Sequence, residues 1–464
     1  MADMKKTRAS HEVDMVHGPL AGKIFLFAVP VALTGILQQL FNAADVAVVG
    51  QFVGKEAMAA VGSNSPVIGL MVNLFIGVSL GANVVISMAT GSGDEKTISR
   101  SVHTSVLIAL ISGVIMMLIG EFISRPLLTM MGVPGDIMPM ALAYLRTYLI
   151  GLPVIFLYNF ESAVFRSHGD TRTPLICLII SGLLNVVLNL FFVIIVGMTA
   201  DGVALATVIS NLVSSSLMFI ILTRSSGAYR IEINKLRIDI NIMKRIFKIG
   251  IPAGLQGMVF SISNICVQSA VNSLGSDIMA ASSAAFNIEI LAYYIINSFG
   301  QACTTFTGQN RGAAEMRRCR SVLRISLGQA LVGCGLIIVA LLLPGKYLLG
   351  IFNSDPIVAE YGIIRMTYIL AFEFLNAFME VFSGALRGHG YSLAPALITL
   401  FGVCGVRILW VLTYFQSHHT FDVLMSVYPI SWAVTAAVIF IYYMVKRKKI
   451  YSVPPEARTA VQNK

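Results

Sequence analysis

The sequence is poor in charged residues. Asp, Glu, Lys and Arg make up only 12% of its 464 residues, while 56% are hydrophobic. A soluble domain carries roughly 25% charged residues, because its surface must be hydrated. This deficit excludes a soluble globular protein of this length. The mean hydropathy of +0.80 places the chain among membrane proteins.

The sequence also lacks the common motifs of metal binding, catalysis and secretion. Its six cysteines form no CxxC motif and no Cys/His pair at metal spacing, so we expect unpaired thiols. No HExxH motif, paired aspartates or credible Ser/His site is present, which argues against an enzyme. The first 22 residues contain no apolar core of a signal peptide. We therefore expect the first apolar segment to act as its own insertion signal.

Two motifs that suggest chemistry have simpler interpretations. Gly77 to Gly81 fits the GxSxG pattern of hydrolases, but it lies inside an apolar run rather than a strand–turn–helix. We interpret Gly77 and Gly81 as a GxxxG helix-packing face, and Gly250 and Gly254 in the same way. His168 and His389 have no second metal ligand nearby in sequence, so structural loop roles are expected.

Long apolar runs dominate the chain. A helix needs about 20 residues to cross a bilayer, and helices satisfy their own backbone hydrogen bonds in lipid. Twelve such runs are present, which predicts an all-α membrane protein. They lie near residues 23–48, 60–88, 102–123, 138–160, 173–196, 202–222, 246–272, 281–306, 322–343, 360–384, 394–415 and 427–445.

Lys and Arg fall almost entirely in one set of loops. That set includes the N-terminal segment, the run from Arg224 to Lys248 and the tail after Lys446, while the opposite loops offer only Lys55, Arg125 and Lys346. Cytoplasmic loops are enriched in Lys and Arg, so both termini are expected in the cytoplasm. The net charge of +10 is therefore a topology signal and does not indicate a nucleic-acid partner.

The two halves of the chain resemble each other. Pro30 matches Pro252 at a spacing of 222 residues, and Pro174 matches Pro395 at 221. We predict two six-helix bundles related by a parallel repeat, with a substrate path between them. The expected segments are a cytoplasmic N-terminal segment (1–22), an N-terminal bundle (23–222), a cytoplasmic linker (223–245), a C-terminal bundle (246–445) and a cytosolic, largely disordered tail (446–464).

Polar residues inside the first half are candidates for cation coupling. Asp45 lies late in the first run with no Lys or Arg within a helical turn, so it could bind a proton or Na⁺. The alternative is that Asp45 is hydrated near the outer interface. Asn185 and Asn189 share a helix face and could complete a cation shell or simply bond neighbouring helices. Thr207 alone suggests helix packing.

The second half carries Glu289, Glu373, Glu380 and Arg407 within its apolar runs. Glu373 and Glu380 are seven residues apart and share a helix face. A carboxylate there could face a water-filled cavity and attract cations. It could instead form a buried ion pair with Arg407, which would make it a structural strut. We favour the cavity role for Glu289.

These residues resemble the multidrug and toxic compound extrusion (MATE) transporters over roughly residues 20–450. The resemblance rests on Pro30, Asn42 and Asp45 in the first run, on Thr307 to Ala313 after the eighth, and on the Arg-x-His-Gly segments at Arg166 and Arg387. It implies an antiporter that exports organic, often cationic, compounds against Na⁺ or H⁺. It also implies two six-helix bundles arranged in a V around a central cavity.

The resemblance assigns roles to individual residues. Asp45, Asn185, Asn189 and Thr207 would handle the coupling cation, Pro30 would be the bending point of the first helix, and Gln38, Glu289, Glu373 and Glu380 would line the substrate cavity. Na⁺ at Asp45 would be the only metal, and no cofactor is expected. Archaeal relatives have an Asp where this chain has Asn189. The second cation site of some members, with a Glu in the seventh helix and an Asp in the tenth, is absent in its usual form.

The sequence therefore predicts a cation-coupled efflux antiporter that acts as a monomer in a prokaryotic plasma membrane, with small organic cations and membrane lipids as partners. The main alternative is a lipid-linked oligosaccharide flippase, whose cavity should carry several Lys and Arg for pyrophosphate. Few cations lie within the apolar runs, which favours efflux of cations. An ion channel is disfavoured because no selectivity-filter segment is visible.

Overall fold

The computed structural model describes residues 12–353 and 355–452, and this part of the chain is helical and contains no strand. Eleven helices are long and apolar enough to cross a membrane, and a pair that meets at 48° gives a twelfth span. The all-α, twelve-span prediction is confirmed. The expectations for residues 1–11 and for the tail from 453 onward lie outside the described residues.

The spans are numbered here in chain order. They are span 1 (Leu20–Phe52), span 2 (Lys55–Ser92), span 3 (Glu95–Met130), span 4 (Met138–Ile150 and Leu152–Ser167), span 5 (Arg172–Ile195), span 6 (Ala200–Arg224), span 7 (Ile240–Asn272), span 8 (Ser276–Gly312), span 9 (Met316–Leu342), span 10 (Pro356–Gly388), span 11 (Leu393–Ser417) and span 12 (Phe421–Ile450).

The chain forms two compact units, and two of the boundaries between them fall inside helices. Among the described residues, unit 1 contains residues 12–13 and Leu33–Gly254, and unit 2 contains Asp14–Ala32 and the described residues from Leu255 onward. Span 1 therefore begins in unit 2 and ends in unit 1, while span 7 does the reverse. Each half of the repeat contributes the first part of its first helix to the unit formed mainly by the other half.

Glycines allow the first part of span 7 to pack closely on span 2 within unit 1. A Cβ placed on Gly77 would lie 2.1 Å from the backbone nitrogen of Gly254, and one on Gly81 would lie 2.3 Å from the carbonyl oxygen of Ile246. Only glycine permits backbones to approach this closely. The interpretation of Gly77, Gly81, Gly250 and Gly254 as packing faces is confirmed.

Unit 2 contains a corresponding close contact. A Cβ on Gly384 of span 10 would lie 2.4 Å from the carbonyl oxygen of Gly300 in span 8. The first part of span 1 also packs on span 8, where Phe27 and Phe306 meet edge to face with ring centroids 5.6 Å apart. Small residues and aromatic contacts thus supply the packing where lipid removes the hydrophobic drive between helices.

Spans 5 and 11, which are equivalent in the repeat, each contain a π-helical turn. The turns cover Phe191–Ile195 in span 5 and Leu400–Gly405 in span 11. Such turns add a residue to the helix and rotate the side chains that follow, and they are frequent at functional sites. Asn189 lies just before the first turn and Arg407 just after the second.

His168 and His389 have structural roles at helix ends. His168 and His389 follow the ends of equivalent helices. In each, Nδ1 lies close to the carbonyl oxygen four residues earlier, at 2.9 Å for His168 and 2.8 Å for His389. Burial lowers the pKa of His389 to about 3, so its ring stays neutral. All six cysteines are free, as predicted.

Candidate functional site

Asp45 lies inside unit 1 and is 8% exposed. Its carboxylate accepts hydrogen bonds from two neighbouring helices: Asn189 Nδ2 lies 2.5 Å from Oδ1, and Thr207 Oγ1 lies 3.2 Å from Oδ2. Within the described residues no Lys or Arg forms an ion pair with it. The carboxylate is therefore held by neutral groups alone.

Asn185 connects the other members of this group. Its Oδ1 accepts from Asn189 Nδ2 at 3.2 Å, and its Nδ2 lies 3.3 Å from Thr207 Oγ1. The i, i+4 spacing of the two asparagines places both side chains on the same face of span 5. The structure thus brings together all four residues predicted to handle the cation: Asp45, Asn185, Asn189 and Thr207. We call them the Asp45 cluster.

The chemistry of the Asp45 cluster suits a proton or a monovalent cation. It offers one carboxylate together with neutral amide and hydroxyl oxygens, and the buried Asn189 Oδ1 has no hydrogen-bond partner. Sites for Ca²⁺ or Mg²⁺ gather several oxygen ligands that include carboxylates. No group of three or more His, Cys, Asp or Glu residues that could hold a metal exists in the described ranges. The donor set fits Na⁺, with Asp45 as its only charged ligand.

Glu289 forms a buried ion pair, but its partner is Arg365 of span 10. Arg365 Nη2 lies 2.5 Å from Oε1 and Nε lies 3.2 Å from Oε2, and the two side chains are 6% and 8% exposed. The alternative considered from sequence, an ion pair between Glu289 and Arg407, was wrong about the partner. Arg365 was overlooked because it lies near the start of an apolar run, where a cation can be taken for an interfacial residue.

Arg407 lies among aromatic and neutral polar groups of unit 2. It is fully buried, donates to Asn264 Oδ1 at 3.3 Å and lies 3.3 Å from Ser431 Oγ. Its guanidinium also stands over the ring of Tyr428, 4.3 Å from the centroid. Cation–π contact and neutral hydrogen bonds therefore stabilise this charge at close range, and Glu373 lies within electrostatic range of it without forming an ion pair.

The remaining predicted residues do not form one cluster. Glu373 is 4% exposed and accepts a hydrogen bond from Asn376 Nδ2 at 2.7 Å. Glu380 lies 3.9 Å from Arg387 Nη1 and is partly exposed. Gln38 is exposed on span 1. Pro30 is buried inside a helix that continues from Leu20 to Phe52.

Three further residues of unit 1 were missed from sequence. Glu161 of span 4 is fully buried, accepts from Ser215 Oγ at 2.8 Å and leaves Oε1 without a partner. The rule that singled out Asp45 should also have selected it. Tyr144 and Tyr148 of span 4 stack with ring centroids 6.4 Å apart and lie within electrostatic range of Asp45. Their sequence pattern resembles ordinary aromatic packing, so no signal distinguished them.

Comparison with known proteins gives a consistent result. The MatE family model matches residues 30–191 and 252–413. The chain is 27% identical to "Probable multidrug resistance protein YoeA" of Bacillus subtilis, with 91% of this chain and 93% of that protein covered. It is 26% identical to the "FAD transporter" of Shewanella oneidensis, with 74% and 78% covered.

Solved structures share the fold. The "Crystal structure of MATE in complex with MaL6" superposes with a TM-score of 0.88 at 22% identity, covering 95% of this chain and 99% of that one. The "Outward-facing conformation of a multidrug resistance MATE family transporter of the MOP superfamily" gives 0.87 at 22%, covering 95% and 98%. The matched family segments begin at Pro30 and Pro252, the prolines that the internal repeat aligns. The chain therefore belongs to the MATE family and is a multi-pass membrane transporter, not an enzyme.

Proposed function

We propose that this protein is a secondary active multidrug antiporter that exports organic cations in exchange for Na⁺ or H⁺. The observation that carries the proposal is the buried Asp45 carboxylate, which three neutral side chains surround without a countercharge. An ionisable residue inside a membrane bundle is costly, so its presence favours a functional role. We further propose that the protein acts as a monomer in the plasma membrane, with both termini in the cytoplasm.

The proposed mechanism is alternating access driven by loading of Asp45. A proton or Na⁺ on the carboxylate removes its negative charge, which weakens the hydrogen bonds that Asn189 and Thr207 donate to it. The second part of span 1 then loses contacts to spans 5 and 6. Pro30 lacks a backbone N–H and interrupts the hydrogen-bond ladder, so it supplies a point where span 1 can bend. Bending would change the affinity for the exported compound.

Charge in unit 2 supports cationic substrates. Glu373 is buried and has an amide rather than an arginine as its hydrogen-bond partner. We propose that Glu373 and Glu380 contact the cationic substrate within unit 2, and that Gln38 contacts it within unit 1. Arg365 neutralises Glu289, so we assign that carboxylate a structural role instead. The relative named as an FAD transporter makes an anionic substrate the specific alternative, since Arg407 is a buried cation that forms no ion pair with a carboxylate among the described residues.

Transport by purified protein in proteoliposomes tests the proposal. Ethidium and FAD export would each be followed under a separately imposed Na⁺ gradient or pH gradient. We expect ethidium to be exported with at least one of the gradients. We expect no export of FAD with either gradient. Export of FAD without ethidium export would replace the substrate assignment. Export of a lipid-linked oligosaccharide alone would favour the flippase.

The coupling role of Asp45 needs a matched substitution. Asp45→Asn removes the carboxylate and retains its size, and Asp136→Asn makes the same change at an exposed loop position of unit 1. We expect Asp45→Asn to fold normally and lose gradient-driven export, while Asp136→Asn transports normally. If Asp45→Asn still pumped against a gradient, coupling would reside elsewhere, and Glu161 would be the next candidate.

A further inference from the structure

A cleft opens where the linker between spans 6 and 7 crosses the start of span 3. It has a volume of about 350 Å³. Its walls belong to unit 1 and come from two segments only: Ser99, Arg100 and His103 on span 3, and Asn234, Lys235, Leu236 and Arg237 on the linker. The cleft is far in sequence from the Asp45 cluster, and the proposed transport mechanism does not use it.

The linker is fixed on span 3 by specific contacts. His103 is 2% exposed, and its Nε2 lies 3.0 Å from the backbone nitrogen of Glu232, which donates to it. Its Nδ1 lies 2.6 Å from the carbonyl oxygen of Ser99. The backbone N–H of Asp239 donates to Thr104 Oγ1 at 3.1 Å. The walls of the cleft are therefore held in place at both ends of the linker segment.

The charge in the cleft is net positive. Arg100 lies 3.5 Å from Asp239, and Lys235 lies 3.0 Å from Glu232. Arg237 forms no ion pair with any described carboxylate. The Lys235–Glu232 pair is exposed and contributes little stability, so Lys235 can turn toward a stronger anion at small cost. The Arg100–Asp239 contact is partly buried but long, at 3.5 Å, so Arg100 can also contact such an anion. Three cations then face one site.

Exposed apolar side chains flank these cations. Ile233 is 66% exposed, Ile238 38% and Ile240 59%, and they lie on either side of Lys235 and Arg237, with Ile240 at the start of span 7. A segment that mixes exposed isoleucines with Lys and Arg suits the boundary between lipid headgroups and acyl chains. The linker directly follows span 6 and precedes span 7, which places it at that boundary.

We propose that this cleft binds the phosphate headgroup of an anionic phospholipid. The phosphate would lie between Arg100, Lys235 and Arg237, and the acyl chains would run past the exposed isoleucines. Arginine and lysine together provide a fork and a point charge for phosphate oxygens. A bound lipid would bridge span 3 and the linker, and so would stabilise unit 1. Basic residues beside membrane helices commonly recruit anionic lipids.

The test is thermal unfolding of the full-length protein in a neutral detergent, with phosphatidylglycerol, phosphatidylcholine of the same acyl chains, or inorganic phosphate added. We expect phosphatidylglycerol to raise Tm by about 3–6 °C at ten times its Kd, and the other two additives to leave Tm unchanged. Equal protection by inorganic phosphate at the same concentration would overturn the lipid assignment.

Two double variants locate the effect. Lys235→Gln/Arg237→Gln removes two exposed cations of the cleft, and Arg447→Gln/Lys448→Gln makes the same charge change at the end of span 12. Equal Tm values in phosphatidylcholine would show that both variants fold. We expect the cleft variant to lose most of the rise caused by phosphatidylglycerol and the control to retain it. An equal loss in both, or no loss in the cleft variant, would overturn the proposal.

Discussion

Removal of one partner from the Glu289–Arg365 pair should destabilise unit 2 strongly. Glu289→Gln leaves the guanidinium of Arg365, which is 5% exposed, without a countercharge. Breaking a buried pair in this way costs about 3–5 kcal/mol. The glutamine oxygen can still accept one hydrogen bond and Tyr428 lies 6.0 Å away, so we expect the lower end of that range.

The magnitude can be checked by thermal unfolding in detergent. A loss of about 3 kcal/mol corresponds to a Tm decrease of about 6–12 °C for a unit of roughly 200 residues. The matched control is Glu380→Gln, because Glu380 is 18% exposed and lies 3.9 Å from Arg387. We expect that control to lose less stability than Glu289→Gln, because Arg387 retains its hydrogen bond to Gln256 Oε1 at 2.8 Å.

A second substitution separates the pair from the individual residues. Glu289→Gln/Arg365→Met removes both charges, and an uncharged replacement of a buried pair is often neutral or stabilising. We expect the double variant to recover most of the lost Tm. The reasoning would be refuted if Glu289→Gln were as stable as the unmodified protein, or if the double variant lost the sum of the two single effects.

Three further outcomes are expected. Gly77→Ala should cost about 1–3 kcal/mol and lower Tm, because its Cβ meets the backbone of Gly254, while Gly62→Ala in the same span, with no atom within 4 Å of its Cβ, should not. A loss of stability common to both would remove the packing explanation. His389 has a pKa of about 3 when folded and about 6.5 when unfolded, so the unfolded state binds its proton first and stability falls below pH 6.5. The loss at pH 5 should be about 2 kcal/mol, and His389→Gln should reduce the Tm difference between pH 7.5 and pH 5. The cysteine of a Lys449→Cys variant should not be labelled from outside intact cells. Efficient labelling from outside would contradict the proposed cytoplasmic position of the C-terminus.

Hydropathy predicted the spans well, for a physical reason, whereas the grouping of Asp45 with Asn185, Asn189 and Thr207 came from the family resemblance. A lipid-crossing helix must satisfy its own backbone, so composition alone reveals it. Asn185 and Asn189 share a face because of helical periodicity, whatever their neighbours are. The order of the spans and the equivalence of Pro30 and Pro252 also follow from the chain itself.

Partner choice was much harder to predict, because it depends on which helices pack together. Glu289 could pair with any cation in the second half, and only packing of span 8 on span 10 selects Arg365. Arg407 was considered as the partner of a carboxylate. Its close contacts include aromatic rings, which an argument based on matching opposite charges does not consider. Glu161 had a detectable signal, an acidic residue in an apolar run, that was not used.

The division of spans 1 and 7 between the two units has a consequence for biosynthesis. Residues 14–32 leave the ribosome early, yet the rest of unit 2 begins only at Leu255. The start of span 1 therefore lies in the bilayer without its packing partners until more than 200 further residues have been synthesised. Unit 1 likewise stays incomplete until the beginning of span 7 has been made. A gene cut within the linker would yield two fragments that each lack part of a unit, so assembly of this transporter depends on late, long-range pairing rather than on sequential folding of two independent halves.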